Sequence, residues 1–164
     1  YRVFAHNMRD LGTPVFPKSL FLATLDEFPQ AEIVLVRYRN RTLAGGLLLH
    51  GSGVTEIPSA SSLRPWNWTN ANMLLYWSAL TRAIDRGQRL FDFGRSTIDS
   101  PTYRFKKQWG AVPYPAHWQY YVRRGKVGEM RPESPRFRLA VRVWRHLPVW
   151  LTRWIGPAIV RGIP

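Results

Sequence analysis

The chain has 164 residues, enough for one domain with a real core, and its 45% apolar content fits a globular protein. Its net charge of +14 predicts an anionic partner: nucleic acid, a phosphorylated substrate or acidic lipid. The absence of cysteine excludes a disulfide framework and thiolate chemistry, and four scattered histidines offer no zinc-like spacing, so no metal ligand is assigned.

The chain opens at Tyr1 within a helical pattern, which reads as a fragment of a longer protein, and no signal peptide is visible. In "RVFAHNMRDLG", Phe4, Met8 and Leu11 share a helical face and Gly12 supplies a stop. "FPKSLFLATLDEFP" repeats the plan. Pro17 suits a first turn, Phe21, Leu25 and Phe28 line a face, and Pro29 closes the helix. "EIVLVRYR" and "TLAGGLLLHG" read as a hairpin turning at Asn40-Arg41, and "VTEIPSAS" as a third strand in which Pro58 marks a bulge or an edge.

"SSLRPWNWTN" is a loop carrying Trp66 and Trp68. In the helix "NANMLLYWSALTRAIDRG", Met73, Tyr76, Trp77, Leu80, Ala83 and Ile84 recur at 3.6 spacing, with Asn70 as cap and Gly87 as stop. "RLFDFG" follows as a buried strand. "SPTYRFKKQWG" is a short helix with Ser100 as cap and Pro101 at its first position. "YPAHWQYYVRR" is a last strand with alternating aromatics. The order predicts an α+β domain, with a mixed sheet antiparallel at its start and a βαβ step later. The tail differs. In "RFRLAVRVWRHL", Phe137, Val141 and Trp144 share one face while Arg138, Arg142 and Arg145 share the other. Either the tail lies on a membrane surface, or it packs on protein with its arginines in water.

The element order is similar to that of the acyl-CoA N-acyltransferase (GNAT) fold. "NANMLLYWSALTRAIDRGQRLFDFGRS" followed by "YRFKKQWG" resembles the FemAB family, whose members carry tandem GNAT-like domains, and most closely the FemAB-related proteins of the exosortase/PEP-CTERM system. The resemblance implies a second GNAT-like half over residues 1–125, a basic amphipathic tail over 126–164, and a first half upstream. It also implies acyl or aminoacyl transfer to an amine on a cell-envelope or exopolysaccharide precursor. That activity is expected in the cytoplasm or on the inner membrane face. The donor would be aminoacyl-tRNA or acyl-CoA, with no cofactor held tightly. A binding module for an anionic polymer or a membrane, built on a degenerate GNAT core, is the alternative.

The family's "FK" before a glycine-ended helix falls on Phe105 and Lys106, which makes them catalytic candidates, and "FDFG" falls on Phe91 to Gly94. Acyl transfer develops an oxyanion that a fixed ammonium such as Lys106 can stabilise; the residues alone favour a solvated lysine on a helix face, and the resemblance reverses that preference. Glu56 stands on the strand where GNAT enzymes often keep a general base, or is an exposed strand charge. Arg95, where peptidoglycan transferases often carry a small residue, Tyr103, Lys107 and Trp68 are substrate-binding candidates. Asp92, between two phenylalanines, is read as structural and paired with an arginine such as Arg95 or Arg104. GNAT enzymes that use CoA carry an R/Q-x-x-G-x-G/A loop. The junction here, "SASSLRPWNWTNAN", has no glycine, which disfavours an ordinary CoA cradle.

Overall fold

The computed structural model describes residues 1–117, 119, 121, 123 and 135–161. In chain order the elements are α1 (Arg2–Leu11), α2 (Lys18–Glu27), β1 (Ala31–Tyr38), β2 (Arg41–Gly51), β3 (Val54–Ser62), a 3-10 helix (Arg64–Thr69), α3 (Ala71–Asp85), β4 (Leu90–Asp92), α4 (Pro101–Gln108), α5 (Pro135–His146) and α6 (Val149–Val160). The strands form one sheet in the order β1-β2-β3-β4. The first two pairings are antiparallel, and β3–β4 is parallel, joined through α3.

Local chemistry accounts for the turns. Tyr38 pairs with Arg41, so the hairpin turns on Arg39-Asn40, one residue earlier than expected. Both turn residues have positive φ, 44° and 61°, which matches the twist of the flanking strands. The β2–β3 register slips between Leu47, opposite Ser59, and Leu49, opposite Glu56. Pro58 lies in that slip, where its missing N–H costs no ladder bond. Gly12, at φ 81°, closes α1 as expected.

The sheet is covered on both faces. Asn7 of α1 reaches Ser61 on one side, while Ala60 packs beneath α3 on the other. The buried stripe of α3 is Ala71, Leu75, Ala79 and Ala83, four residues apart. This corrects the expected face: Met73, Trp77 and Ile84 are exposed. Small alanines let the helix approach β2 and β3 closely, so the bulky residues point elsewhere. Leu11 and Phe28 are likewise exposed. Under α1, the rings of Tyr1, Phe4 and Phe21 pack with centroids 4.9–5.9 Å apart.

Two strand expectations change. β4 has only three residues and Leu90 is exposed; among the described residues β4 pairs along one edge alone. Residues 114–117 of the expected last strand form no strand, and Tyr114 and Tyr121 are almost fully exposed. Positions 118, 120, 122 and 124 of that stretch lie outside the described residues. The tail helices rest on α1. Arg9 donates to the Leu147 carbonyl and Arg145 to the Leu11 carbonyl, both at 3.2 Å. A Cβ on Gly156 would sit 2.9 Å from the Val15 amide nitrogen, so the contact between α6 and Val15 requires glycine.

Candidate active site

The parallel pair β3–β4 runs only from Val54–Leu90 to Glu56–Asp92. From Ile57 to Ser62, β3 continues with β2 as its only described strand partner, leaving an open edge of about 20 Å. Beyond Asp92 the chain turns: the Asp92 carboxylate accepts the Gly94 N–H at 2.7 Å, and Gly94 takes φ 70°.

Into this turn reaches α4. Ser100 caps it, its hydroxyl accepting the Tyr103 N–H at 3.1 Å, and Pro101 fits the first turn. One face of α4 carries Phe105 and Trp109, which close on Tyr76 of α3 with centroids 4.9 and 6.3 Å from its ring. Phe93 stacks on Tyr76 at 5.9 Å, and Phe91 meets Phe93 at 4.8 Å. The expected packing of this helix on "RLFDFG" is present, organised around Tyr76.

That aromatic seam fixes Lys106. The residue is half-buried, and its ammonium donates to the carbonyls of Gly94 at 2.9 Å and Arg95 at 2.8 Å. Loss of water holds its pKa below the usual lysine value, and the negative charge of Asp92 opposes the shift. An ammonium has three N–H donors. Two are taken by neutral carbonyls, and no carboxylate pairs with it among the described residues. Nearby in sequence, the buried Ser96 hydroxyl and Trp109 indole N–H find no partner among the described residues.

The remaining candidates fall into separate groups. Tyr103 is half-buried, and the Lys107 ammonium lies 5.9 Å from its ring centre on the exposed side of α4. Arg95 lends its carbonyl to Lys106. Glu56 is exposed and opposite Asp92 in register; the buried Thr55 and Ile57 beside it point to the α3 face, so Glu56 points away from it. Trp68 lies by the end of the β1–β2 hairpin, 67% exposed, its ring 6.1 Å from Tyr38 and 6.0 Å from Trp66. Arg39 stands over Tyr38 and Arg41 over Trp66, at 5.2 and 6.0 Å.

One cluster escaped the sequence reading. Buried His50 lies 2.8 Å from the Thr55 hydroxyl through Nδ1 and 3.0 Å from Glu32 through Nε2. Arg82 forks onto both Glu32 oxygens at 3.0 and 2.7 Å, and Arg86 adds a bond at 3.2 Å. The Arg82 hydrogen bonds, helped by His50 and Arg86, drive the Glu32 pKa down to about 2. The only sequence signal was a histidine ending an apolar strand and a glutamate opening its hairpin partner.

The parallel pair opens after three residues, and the chain that follows it carries α4 onto Tyr76 of α3. The sequence model described as "Acetyltransferase (GNAT) domain" matches residues 1–107. The chain belongs to the GNAT family. No curated protein matches it. Among solved structures it is similar to a candidate acetyltransferase from Agrobacterium tumefaciens str. C58, with a TM-score of 0.58 and 14% identity over 74% of this chain and 91% of that one. An aminoglycoside acetyltransferase from an uncultured soil metagenomic sample, in complex with trehalose, gives 0.54 and 13% over 73% and 88%. An acetyltransferase of Trypanosoma brucei gives 0.52 and 10% over 74% and 94%. At these identities the likeness shows the fold.

The GNAT fold implies an acyl-donor cleft. Beside the start of α3 a pocket of about 240 Å³ is lined by Ser62, Trp66, Asn67, Asn70 and Asn72 among others, none of them a carboxylate. Asn70 stands at the helix start with φ 55° but makes no side-chain cap; the Thr69 hydroxyl accepts the Ala71 N–H instead. The next first-turn N–H groups have no carbonyl one turn back inside the helix. The 3-10 helix leads into this helix start, and its Trp66 lines the pocket.

Proposed function

We propose that this GNAT domain transfers an acyl or aminoacyl group to an amine of a cell-envelope or exopolysaccharide precursor, in the manner of FemAB-type transferases linked to exosortase/PEP-CTERM systems. The observation that carries the reading is Lys106: a half-buried lysine whose ammonium is held on two carbonyls where β3 and β4 part. When an amine attacks an acyl carbonyl, charge grows on the carbonyl oxygen. The third Lys106 N–H meets that charge in a setting of reduced dielectric. Glu56 accepts the amine proton from the opposite side, and the donor's oxygen or sulfur leaves as the carbonyl reforms. Phe105 excludes water and seats the lysine. The donor is aminoacyl-tRNA or acyl-CoA, its phosphates drawn by Lys107, Arg95 and the Arg39–Arg41–Trp68 group. Residues 1–125 work with a GNAT-like half upstream in the same protein, in the cytoplasm.

A second reading, a binding module for an anionic polymer, is favoured by the exposed cations around Trp68 and Tyr38. Substitution separates the two. Lys106→Ala in the intact protein lowers turnover roughly 100-fold. Lys107→Ala mainly weakens binding of an anionic substrate, and the loss shrinks at high salt. Equal, small effects on transfer would leave the binding module as the answer.

A further inference from the structure

Helices α5 and α6 use one face each against the domain. Trp144 is buried and Val141 half-buried beside Gly12 of the α1 end, while Thr152 and Gly156 of α6 are buried. The face expected from the sequence to meet a membrane is thus spent on α1. At about 100° per residue, Leu139, Arg142 and Val143 centre opposite Trp144 on α5, and Trp150, Trp154 and Arg161 centre opposite Thr152 and Gly156 on α6. A helix that only packs on its domain presents polar residues there. Here Leu139, Trp150 and Trp154 are 68%, 69% and 77% exposed. Neither helix contains an acidic residue, and Arg138 and Arg142 meet no carboxylate among the described residues.

Bulky apolar groups interleaved with unpaired arginines on an outward face match an interface with both an acyl layer and negative headgroups. Tryptophan prefers that depth, and the arginine stems reach past the apolar groups to phosphate. No helix among the described residues is long and apolar enough to cross a membrane. We propose that the outward faces of α5 and α6 seat the protein on an anionic lipid bilayer, Trp150 and Trp154 entering the headgroup layer and Arg138 and Arg142 binding its phosphates. The proposal stands apart from the transfer chemistry, which uses other elements.

The test is flotation of the intact protein with vesicles of phosphatidylcholine alone or with 30% phosphatidylglycerol. The wild type floats with the anionic vesicles, and 0.5 M NaCl weakens this. Trp150→Ser with Trp154→Ser cuts partitioning at least tenfold. Arg138→Gln with Arg142→Gln cuts it by roughly fivefold per charge and removes the preference for anionic vesicles. All four side chains are exposed or half free of the core, so circular dichroism should match the wild type. Flotation unchanged in the tryptophan variant overturns the proposal, as does absence of flotation. A dimer that the same variant dissolves, with no vesicle binding, assigns the face to a second copy instead.

Discussion

Two partly buried charges in this domain are held in opposite ways. Glu32 is held by the counter-charge of two arginines and by a hydrogen bond from a histidine, and its pKa falls to about 2. Lys106 is held by neutral carbonyls, and its pKa falls because water is removed. A charge neutralised by partners has little left for a ligand; a charge positioned by dipoles keeps its field for whatever anion arrives. The first arrangement braces β1, β2, β3 and α3. The second suits an oxyanion that exists only during reaction.

The comparison breaks if the aromatic seam does not seat the lysine. Tyr76→Ala removes the ring that joins α3, Phe93 and α4, and should cost about 3 kcal/mol. Hydrogen exchange should rise in residues 90–109 before it rises in 31–57; uniform loosening would show that the two regions are one unit.

On the other side, Glu32→Gln should cost about 1 kcal/mol at pH 7, because Arg82 and Arg86 lose their counter-charge while solvent screens the contact. The folded pKa lies below the ordinary 4.5, so this stabilisation is complete above about pH 4.5 and is lost as pH falls toward about 2. Thermal melts across that window should show a steeper acid decline in the wild type than in Glu32→Gln. Parallel curves would remove Glu32 as the cause. The smallest effect is expected from Arg86→Ala, a few tenths of a kcal/mol, because Arg82 alone supplies the two-pronged contact. A loss equal to that of Glu32→Gln would make the outer arginine the essential partner.

What was legible in the sequence was local. Gly12 as a stop, the hairpin, the slip at Pro58 and the cap at Ser100 each follow from residues a few positions apart. The inward face of α3 was misread because size suggested Met73 and Trp77, whereas close helix–sheet approach selected alanines. The Glu32–His50–Thr55 cluster draws on three strands joined only by register, which no spacing announces. Lys106 was singled out, but its carbonyl partners, 11 and 12 residues upstream in a segment without regular structure, were not readable. The expected arginine partner of Asp92 gave less insight than the bond it makes to the Gly94 N–H, which shapes the turn that receives the lysine.

The central claim is that the ammonium of Lys106 acts in its charged form. Its lowered pKa means that the neutral amine forms at lower pH than for an ordinary lysine, so transfer should fall as pH rises, with a midpoint below 10.5. The measurement is the pH dependence of kcat for acyl transfer in the intact protein and in Lys106→Arg, whose guanidinium does not titrate in this range. The account predicts an alkaline limb in the wild type that is absent from a slower Lys106→Arg enzyme. The same limb in both would contradict it.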